Sequence, residues 1–275
     1  MQKLMIIYGA TASGKSDFAM RYASCHNGEI VSADSMQIYR GMDIGTAKPS
    51  VQDRQNIAHH CIDIVQPNQS FSVASWVQFA DLAILDILKR NKLPIIVGGT
   101  GLYIKGLLYK HDYVDSDPKI REELETQLQQ KGSSYLYQKL YKVDNISATM
   151  IGSNDTKRLI RALEIYMVTG KPKSQFTISA IPRYQYQLHE ISLDRVELYK
   201  RIDKRVDDMI KYGLVQEVET MLPYRNCQSM QGIGYRQLLS YFDGVHTLEQ
   251  CISQIKQATR NYAKRQLTFF RHQIS

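Results

Sequence analysis

Gly9, Ala10, Thr11, Ala12, Ser13, Gly14, Lys15 and Ser16 read GATASGKS, which fits the spacing G-x-x-x-x-G-K-[ST]. That spacing serves the gripping of a phosphate chain. Its glycines let backbone N–H groups turn inward on phosphate oxygens, and the helix that follows adds the positive end of its dipole. Lys15 reaches a terminal phosphate, and the Ser16 hydroxyl is placed to help hold Mg²⁺. A little further on, Asp34 stands in the stretch SADSMQIYRGMDIGTAKP. A carboxylate there can coordinate Mg²⁺ through water, take a proton from an incoming nucleophile, or merely cap the next turn. The later run Gly98, Gly99, Thr100 is informative for what it lacks. Many phosphate-loop hydrolases place an acid at that strand end to hold Mg²⁺ and the attacking water. Thr100 can donate and accept hydrogen bonds but is no base at neutral pH. Nucleotide hydrolysis is weakened as a reading, and Asp34 is left as the one well-placed acid.

These groups need a scaffold that carries them to one edge. Apolar runs predict strands over 4–8, 29–33, 61–65 and 94–97, and helical spacing predicts helices over 14–23 and 75–90, the latter on Trp76, Phe79, Ala80, Ala83, Ile84, Ile87 and Leu88. Alternating strands and helices imply a parallel sheet covered on both faces, an α/β fold whose ligands sit beyond the carboxyl ends of the strands. Both the glycine-rich loop and Asp34 fall at such ends. The polar loop after Asp34, with Gln37, Tyr39, Arg40, Asp43, Thr46 and Lys48, suits recognition of a shaped partner.

Near residue 113 the pattern changes. Asp117 and Pro118 start a helix, Gly132 stops it, and a second helix runs from about 154 to Gly170 with Lys157, Arg158 and Arg161 in its early turns. Tyr135, Tyr137 and Tyr141 are expected between these helices, and residues 170–186 are expected to form a loop leading back. The expected organisation is a core over 1–112, a small helical insertion over 113–187 and a return to the core over 188–275. The return begins with a strand over 189–193 and a long helix from Arg195, whose cations Arg201, Lys204 and Arg205 read as its solvated side. Residues 230–237, MQGIGYRQ, read as a tight turn entering a helix. In the last helix Tyr262 and Phe269 are expected in the core. Arg260 and Lys264 at i,i+4 make a cationic face.

The chain carries a formal charge of +8, and no acid follows Glu249. The basic tail is either a solvated helix face or a surface for a polyanion such as nucleic acid. No apolar run approaches the roughly 20 residues needed to span a bilayer. With no signal-peptide pattern and scattered Cys25, Cys61, Cys227 and Cys251, the chain is expected in a reducing cytoplasm, without membrane contact.

Taken in order, GATASGKS, SADSMQIYRGMDIGTAKP, HHCID, GGTGLY, DP then Arg121, NDTKRLIRALEIY, IGYRQ and YAKRQLTFFR resemble the tRNA dimethylallyltransferases over nearly the whole chain. Ala10 stands where that family has proline and Phe269 where it has tryptophan, and the chain stops soon after Arg271. The resemblance implies a P-loop NTPase-like fold. It implies that the loop holds the diphosphate of dimethylallyl diphosphate with Mg²⁺, consuming no ATP, and that N6 of adenosine 37 of tRNA is prenylated. Asp34, Thr100 and Lys15 then carry the chemistry. The tRNA contacts it implies are Asp34, Ser35, Met36, Gln37, Thr100 and Arg121, then Lys157, Arg158 and Arg161. Further along come Gln231, Gly232, Ile233, Gly234, Tyr235 and Arg236, with Lys264, Arg265, Gln266 and Arg271. The anticodon stem-loop is the implied docking partner; apart from the resemblance, the chain is expected to work as a monomer. From the residues alone, a small-molecule or nucleotide kinase and a non-catalytic RNA-binding protein remain the competing readings.

Overall fold

The computed structural model describes residues 3–176 and 178–274. Met1, Gln2 and Ser275, at the limits of the expected core segments, and Thr177, in the expected return loop, lie outside the described residues. The chain forms two compact units, one of Met1–Leu108 with Pro182–Ser275 and one of Tyr109–Ile181.

The first unit opens with β1 (Lys3–Tyr8), α1 (Lys15–Cys25) and β2 (Gly28–Ser32). Both strands are buried almost throughout, as strands covered on both faces must be. A long loop leads to α2 (Val51–Asn56), β3 (His59–His60), α3 (Val73–Lys89), β4 (Leu93–Gly98) and α4 (Gly101–Leu108). Trp76 of α3 is fully buried, and its indole donates to the Ser32 carbonyl at 3.0 Å, clamping the helix to the end of β2. The strand expected over 61–65 is displaced to His59–His60. Cys61 (φ 61°) and Asp63 (φ 56°) take left-handed backbone, which ends the extended run despite its apolar residues.

The second unit contains β5 (Tyr109–His111), α5 (Pro118–Val143), α6 (Asn145–Ile151), α7 (Thr156–Thr169) and all but the last residue of β6 (Ile178–Pro182). Asp117 caps α5 through the amides of Lys119 and Ile120, with Pro118 in the first turn. Gly132 (φ 78°, ψ 172°) is non-helical and does stop the first helical run of α5, but a second run follows at once, so Tyr135, Tyr137 and Tyr141 lie on that second run rather than in a connection. The expected loop over 170–186 instead holds a short 3₁₀ turn at Lys173–Gln175 and β6, which pairs with β5. That pairing moves the unit's limits outward at its start and inward at its end, relative to 113–187.

Leu124, Leu136, Leu140, Leu159 and Leu163 make the core of this unit. Beside them Glu164 is fully buried, accepting from Arg121 at 2.8 Å, Arg161 at 2.7 Å, Ser116 at 2.5 Å and the Asp117 amide at 3.1 Å. Burial alone would raise its pKa, but the hydrogen bonds from Arg121, Ser116 and Arg161 outweigh burial and hold the carboxyl at about 2. A carboxyl depressed in this way stabilises the unit fully above its unfolded value near 4.5, and the contribution is lost as pH falls through about 2. Glu164→Gln is expected to cost about 3 kcal/mol at neutral pH, the low end for breaking a buried pair, because both arginines can turn to water. In denaturant titrations the gap between variant and wild type should close as pH falls from 4.5 toward 2.

The chain returns through β7 (Gln185–Glu190), which starts and ends earlier than the expected 189–193. It continues into α8 (Arg195–Lys211), α9 (Leu214–Thr220), α10 (Tyr235–Phe242) and α11 (Leu248–Gln273). The sheet order is β3-β2-β4-β1-β7, and its pairs are parallel. Ile6 sits opposite Ile96 on one side and Leu188 on the other. Because β4 lies between β1 and β2, the loops that leave these strands emerge side by side, at the edge where open parallel sheets bind ligands. Leu198 and Ile202 of α8 and Ala263 of α11 pack with Ala10, so the two helices lean directly on the glycine-rich loop. Among the described residues no helix is long and apolar enough to cross a membrane.

Candidate functional site

A cavity of about 370 Å³ lies among the loops that follow β1 and β2, the 231–236 turn, α8 and α11. Thr11, Lys15 and Ser16 line it from the glycine-rich loop, and Asp34, Ser35, Met36 and Gln37 from the loop after β2.

The glycine-rich loop is shaped by close approach. A Cβ on Gly9 would stand 2.3 Å from the Ile191 carbonyl oxygen, so only glycine lets the chain turn there. Ser13 is buried, and its Oγ has no hydrogen-bond partner. An orphaned buried hydroxyl in a loop of this spacing fits an anionic oxygen that would accept its proton. The Lys15 ammonium donates to the Ala10 carbonyl at 3.2 Å. Burial and the neighbouring Arg205 charge bring Lys15 down to about 8, against the opposing pull of Asp34. Arg205, on α8, also lines the cavity. Burial lowers its pKa too, while the carboxylates of Asp34 and Asp17 oppose the shift. Among the described residues Arg205 makes no ion pair. Two desolvated cations without a full counter-charge make a receptor for an anion of more than one charge.

Asp34 combines two of the roles its position allows. Its Oδ1 accepts the amides of Met36 at 2.8 Å and Gln37 at 3.3 Å, so the carboxylate does cap the turn. No donor among the described residues bonds Oδ2, which remains available to a ligand's proton. Thr100, at the end of β4, accepts the Ser35 amide on Oγ1 at 3.1 Å and is tied by its own amide to the Ala33 carbonyl. The missing acid at this strand end has a steric cause. A Cβ on Gly98 would fall 2.1 Å from the Ala33 carbonyl oxygen, and one on Gly99 would fall 2.0 Å from Nε2 of Gln266.

Gln266 is buried, with Oε1 accepting the Thr11 amide at 2.8 Å and Nε2 donating to the Gly99 carbonyl at 2.9 Å. It lines the cavity yet spends its carboxamide tying the glycine-rich loop to the end of β4. Tyr262, expected in the core, is a cavity residue instead. Burial pushes its phenol up to about 12, with the Asp34 charge adding to the shift and hydrogen bonds with Thr100 and Gln266 opposing it. Phe269 does pack inward, over Gly101, where a Cβ would meet its ring at 2.2 Å.

Of the turn before α10, Gln231, Gly232, Ile233 and Arg236 line the cavity. Gly234 and Tyr235 do not. Both are buried, and the Tyr235 hydroxyl is given to Glu217 at 2.5 Å, so these two shape the turn rather than face a partner. Arg121, Lys157, Arg158 and Arg161 belong to the second unit. There Glu164 holds Arg121 and Arg161, whereas Arg158 is 74% exposed with only Asp155 at 3.4 Å. The cations of α11 also divide. Lys256 and Arg260 pair with Asp207 and Asp203 of α8 at 2.6 and 2.5 Å, as a solvated face would. Lys264, Arg265 and Arg271 are exposed, with no carboxylate partner among the described residues.

Sequence reasoning passed over Arg205 and Tyr262. Arg205 follows the buried Ile202 by three positions and precedes the buried Val206, but Arg201 stands in the same relation to Leu198 and Ile202, so the sequence held no signal that singles Arg205 out.

Family comparison matches residues 37–273 to a model described as IPP transferase and residues 2–65 to one described as isopentenyl transferase. A tRNA dimethylallyltransferase of Carboxydothermus hydrogenoformans is 46% identical over 277 residues, covering 98% of this chain and 89% of the relative. That of Acetivibrio thermocellus is 45% identical over 279 residues, covering 98% and 89%. Among solved structures, the tRNA isopentenylpyrophosphate transferase of Bacillus halodurans is 41% identical at TM-score 0.73, covering 100% of this chain and 88% of that one. A eukaryotic dimethylallyltransferase acting on tRNA is 32% identical at TM-score 0.84, covering 98% of this chain and 70% of that one.

Proposed function

This chain belongs to the IPP transferase family of tRNA dimethylallyltransferases, enzymes that transfer a dimethylallyl group to tRNA, and on that premise we propose the donor, the acceptor atom and the residues that join them. The donor is dimethylallyl diphosphate, and the acceptor is N6 of the adenosine at position 37, in the anticodon stem-loop. The observation that carries this reading is one cavity lined by two cations, Lys15 and Arg205, and by a carboxylate, Asp34, with an open oxygen.

The adenosine leaves its stack to enter the cavity, as bases must for chemistry on their exocyclic groups. Its N6 forms a bond to C1 of the dimethylallyl group while the C1–O bond to diphosphate breaks. An adenine amine is a weak nucleophile because its lone pair is delocalised into the ring. Oδ2 of Asp34 takes the N6 proton as bonding develops, which removes the positive charge that would otherwise collect there. Thr100 holds Ser35, and through it the backbone that carries Asp34. Lys15, Arg205, the loop amides and the Ser13 hydroxyl receive the diphosphate charge, the electrostatic part of catalysis.

Ser16 is exposed and lines the cavity together with Asp34, one hydroxyl and one carboxylate, a sparse donor set that fits Mg²⁺ shared with a diphosphate rather than caged by protein. Bound there, Mg²⁺ would neutralise part of the leaving-group charge. We place the working protein in the cytoplasm, as a monomer, with tRNA lying on its basic surfaces.

Unmodified tRNA and dimethylallyl diphosphate labelled in the prenyl group test the reading. Label should appear on adenosine 37, and ATP offered without the prenyl donor should not be consumed. Equal labelling of a tRNA with guanosine at position 37, or no labelling, overturns it. Arg158, Lys264 and Arg265 serve as phosphate contacts, so neutralising any one should flatten the dependence of log Kd on log salt by about 1. Filter binding from low to moderate salt measures that slope, and an unchanged slope removes the residue from the interface.

A further inference from the structure

The loop after Asp34 is braced from an unexpected direction. Glu217, on α9, is set between the fully buried Leu214 and Val218. Its Oε2 accepts the amides of Asp43 at 2.8 Å and Ile44 at 2.7 Å, and its Oε1 accepts the amide of Gly45 at 2.9 Å and the Tyr235 hydroxyl at 2.5 Å. A carboxylate has about four lone-pair positions, so this one is saturated by donors. The packing is close: a Cβ on Gly45 would stand 2.6 Å from the Tyr235 ring. Immediately beyond, the carbonyls of Thr46 and Ala47 each accept Nε2 of Gln37 at 3.3 Å, and Oε1 of Gln37 accepts the Ser32 hydroxyl at 2.9 Å. Gln37 lines the cavity, and its amide is one of the two that Asp34 caps. The hydrogen bonds therefore run from Glu217 through the 43–47 loop to the cavity wall next to Asp34. None of them touches the glycine-rich loop.

We propose that Glu217 is a positioning residue for the tRNA substrate: by clamping the 43–45 backbone it sets Gln37 and the adenine-facing wall of the cavity, leaving the diphosphate cradle independent. This rests on the function proposed above. The loop has a second tether in Lys48, which binds Asp43 at 2.5 Å, Asp63 at 2.6 Å and the Tyr39 carbonyl at 2.9 Å. Loss of Glu217 should accordingly loosen the loop without unfolding the unit.

Glu217→Gln tests this, because the carboxamide turns an NH₂ toward amides that need an acceptor. The KM for tRNA is expected to rise about tenfold or more, the scale of one charge-assisted hydrogen bond, with the KM for dimethylallyl diphosphate unchanged within about twofold. Hydrogen exchange at residues 43–45 should accelerate. Glu217→Asp, which keeps the charge but draws it back, should fall between the two proteins. A merely structural role predicts fewer active molecules with both KM values unchanged, and that result overturns the proposal, as does equal loss of both substrates or unaltered exchange at 43–45. Wild type in the same assay separates the two claims. If it transfers no label, the proposed function fails, while exchange and equilibrium tRNA binding of wild type and variant still decide the role of Glu217.

Discussion

Asp34→Asn is expected to lower turnover about 10²–10⁴-fold while tRNA still binds, the range typical for loss of a general base. Asparagine is the informative replacement because Asp34 does two things. Its Oδ1 caps the turn through Met36 and Gln37, and its Oδ2 is open. Asparagine keeps an oxygen for the turn and exchanges the open oxygen for an amide, which accepts no proton. Alanine removes both, and should further weaken tRNA binding because Met36 and Gln37 lose their anchor. Single-turnover rates with saturating substrates isolate the chemical step. The gap from wild type to Asn measures proton removal, and the gap from Asn to Ala measures the cap. An Asn variant within about tenfold of wild type would mean that water or the departing diphosphate takes the proton, and Asp34 would be left as a turn cap.

The parts of this site legible in the sequence are those whose local pattern determines their place. An apolar run followed by GATASGKS can only be a buried strand entering a phosphate-gripping turn, and Asp34 follows a second such strand at once. The absent acid at Gly98 and Gly99 was legible as a fact, but its cause was not, since it depends on Ala33 and Gln266, distant in sequence. Arg205 was hidden among alternating charges on α8, where Arg201 pairs with Glu197 and Lys204 faces Asp208 as ordinary surface pairs do. What separates Arg205 from them is its place on the cavity wall and its lack of an ion pair among the described residues. Glu217 was hidden in the same way, in the first turn of a helix where an acid is favourable without tertiary partners. Short elements escaped because periodicity needs length. A three-residue strand such as Tyr109–His111 carries no measurable alternation, and a left-handed residue such as Cys61 leaves no mark in composition.

The pH dependence of donor capture should expose the pairing of Lys15 with Arg205. In the free protein burial and the Arg205 charge hold Lys15 near 8, so kcat/KM for dimethylallyl diphosphate should fall as pH rises through about 8 and Lys15 loses its proton. The same limb should be absent from kcat, because bound diphosphate favours the ammonium and lifts its pKa out of the measured range. Arg205→Gln then makes two effects of opposite sense. At pH 7 kcat/KM should drop about 10²–10³-fold, the cost of removing one preorganised donor from a developing anion. The descending limb should meanwhile move to higher pH, since a positive neighbour that depressed Lys15 is gone while Asp34 still attracts it. Lys15→Met should abolish the limb and produce a loss of similar size. A limb that stays in place in Arg205→Gln would mean that the two cations do not share the diphosphate, and the cradle would reduce to the glycine-rich loop and Lys15 alone.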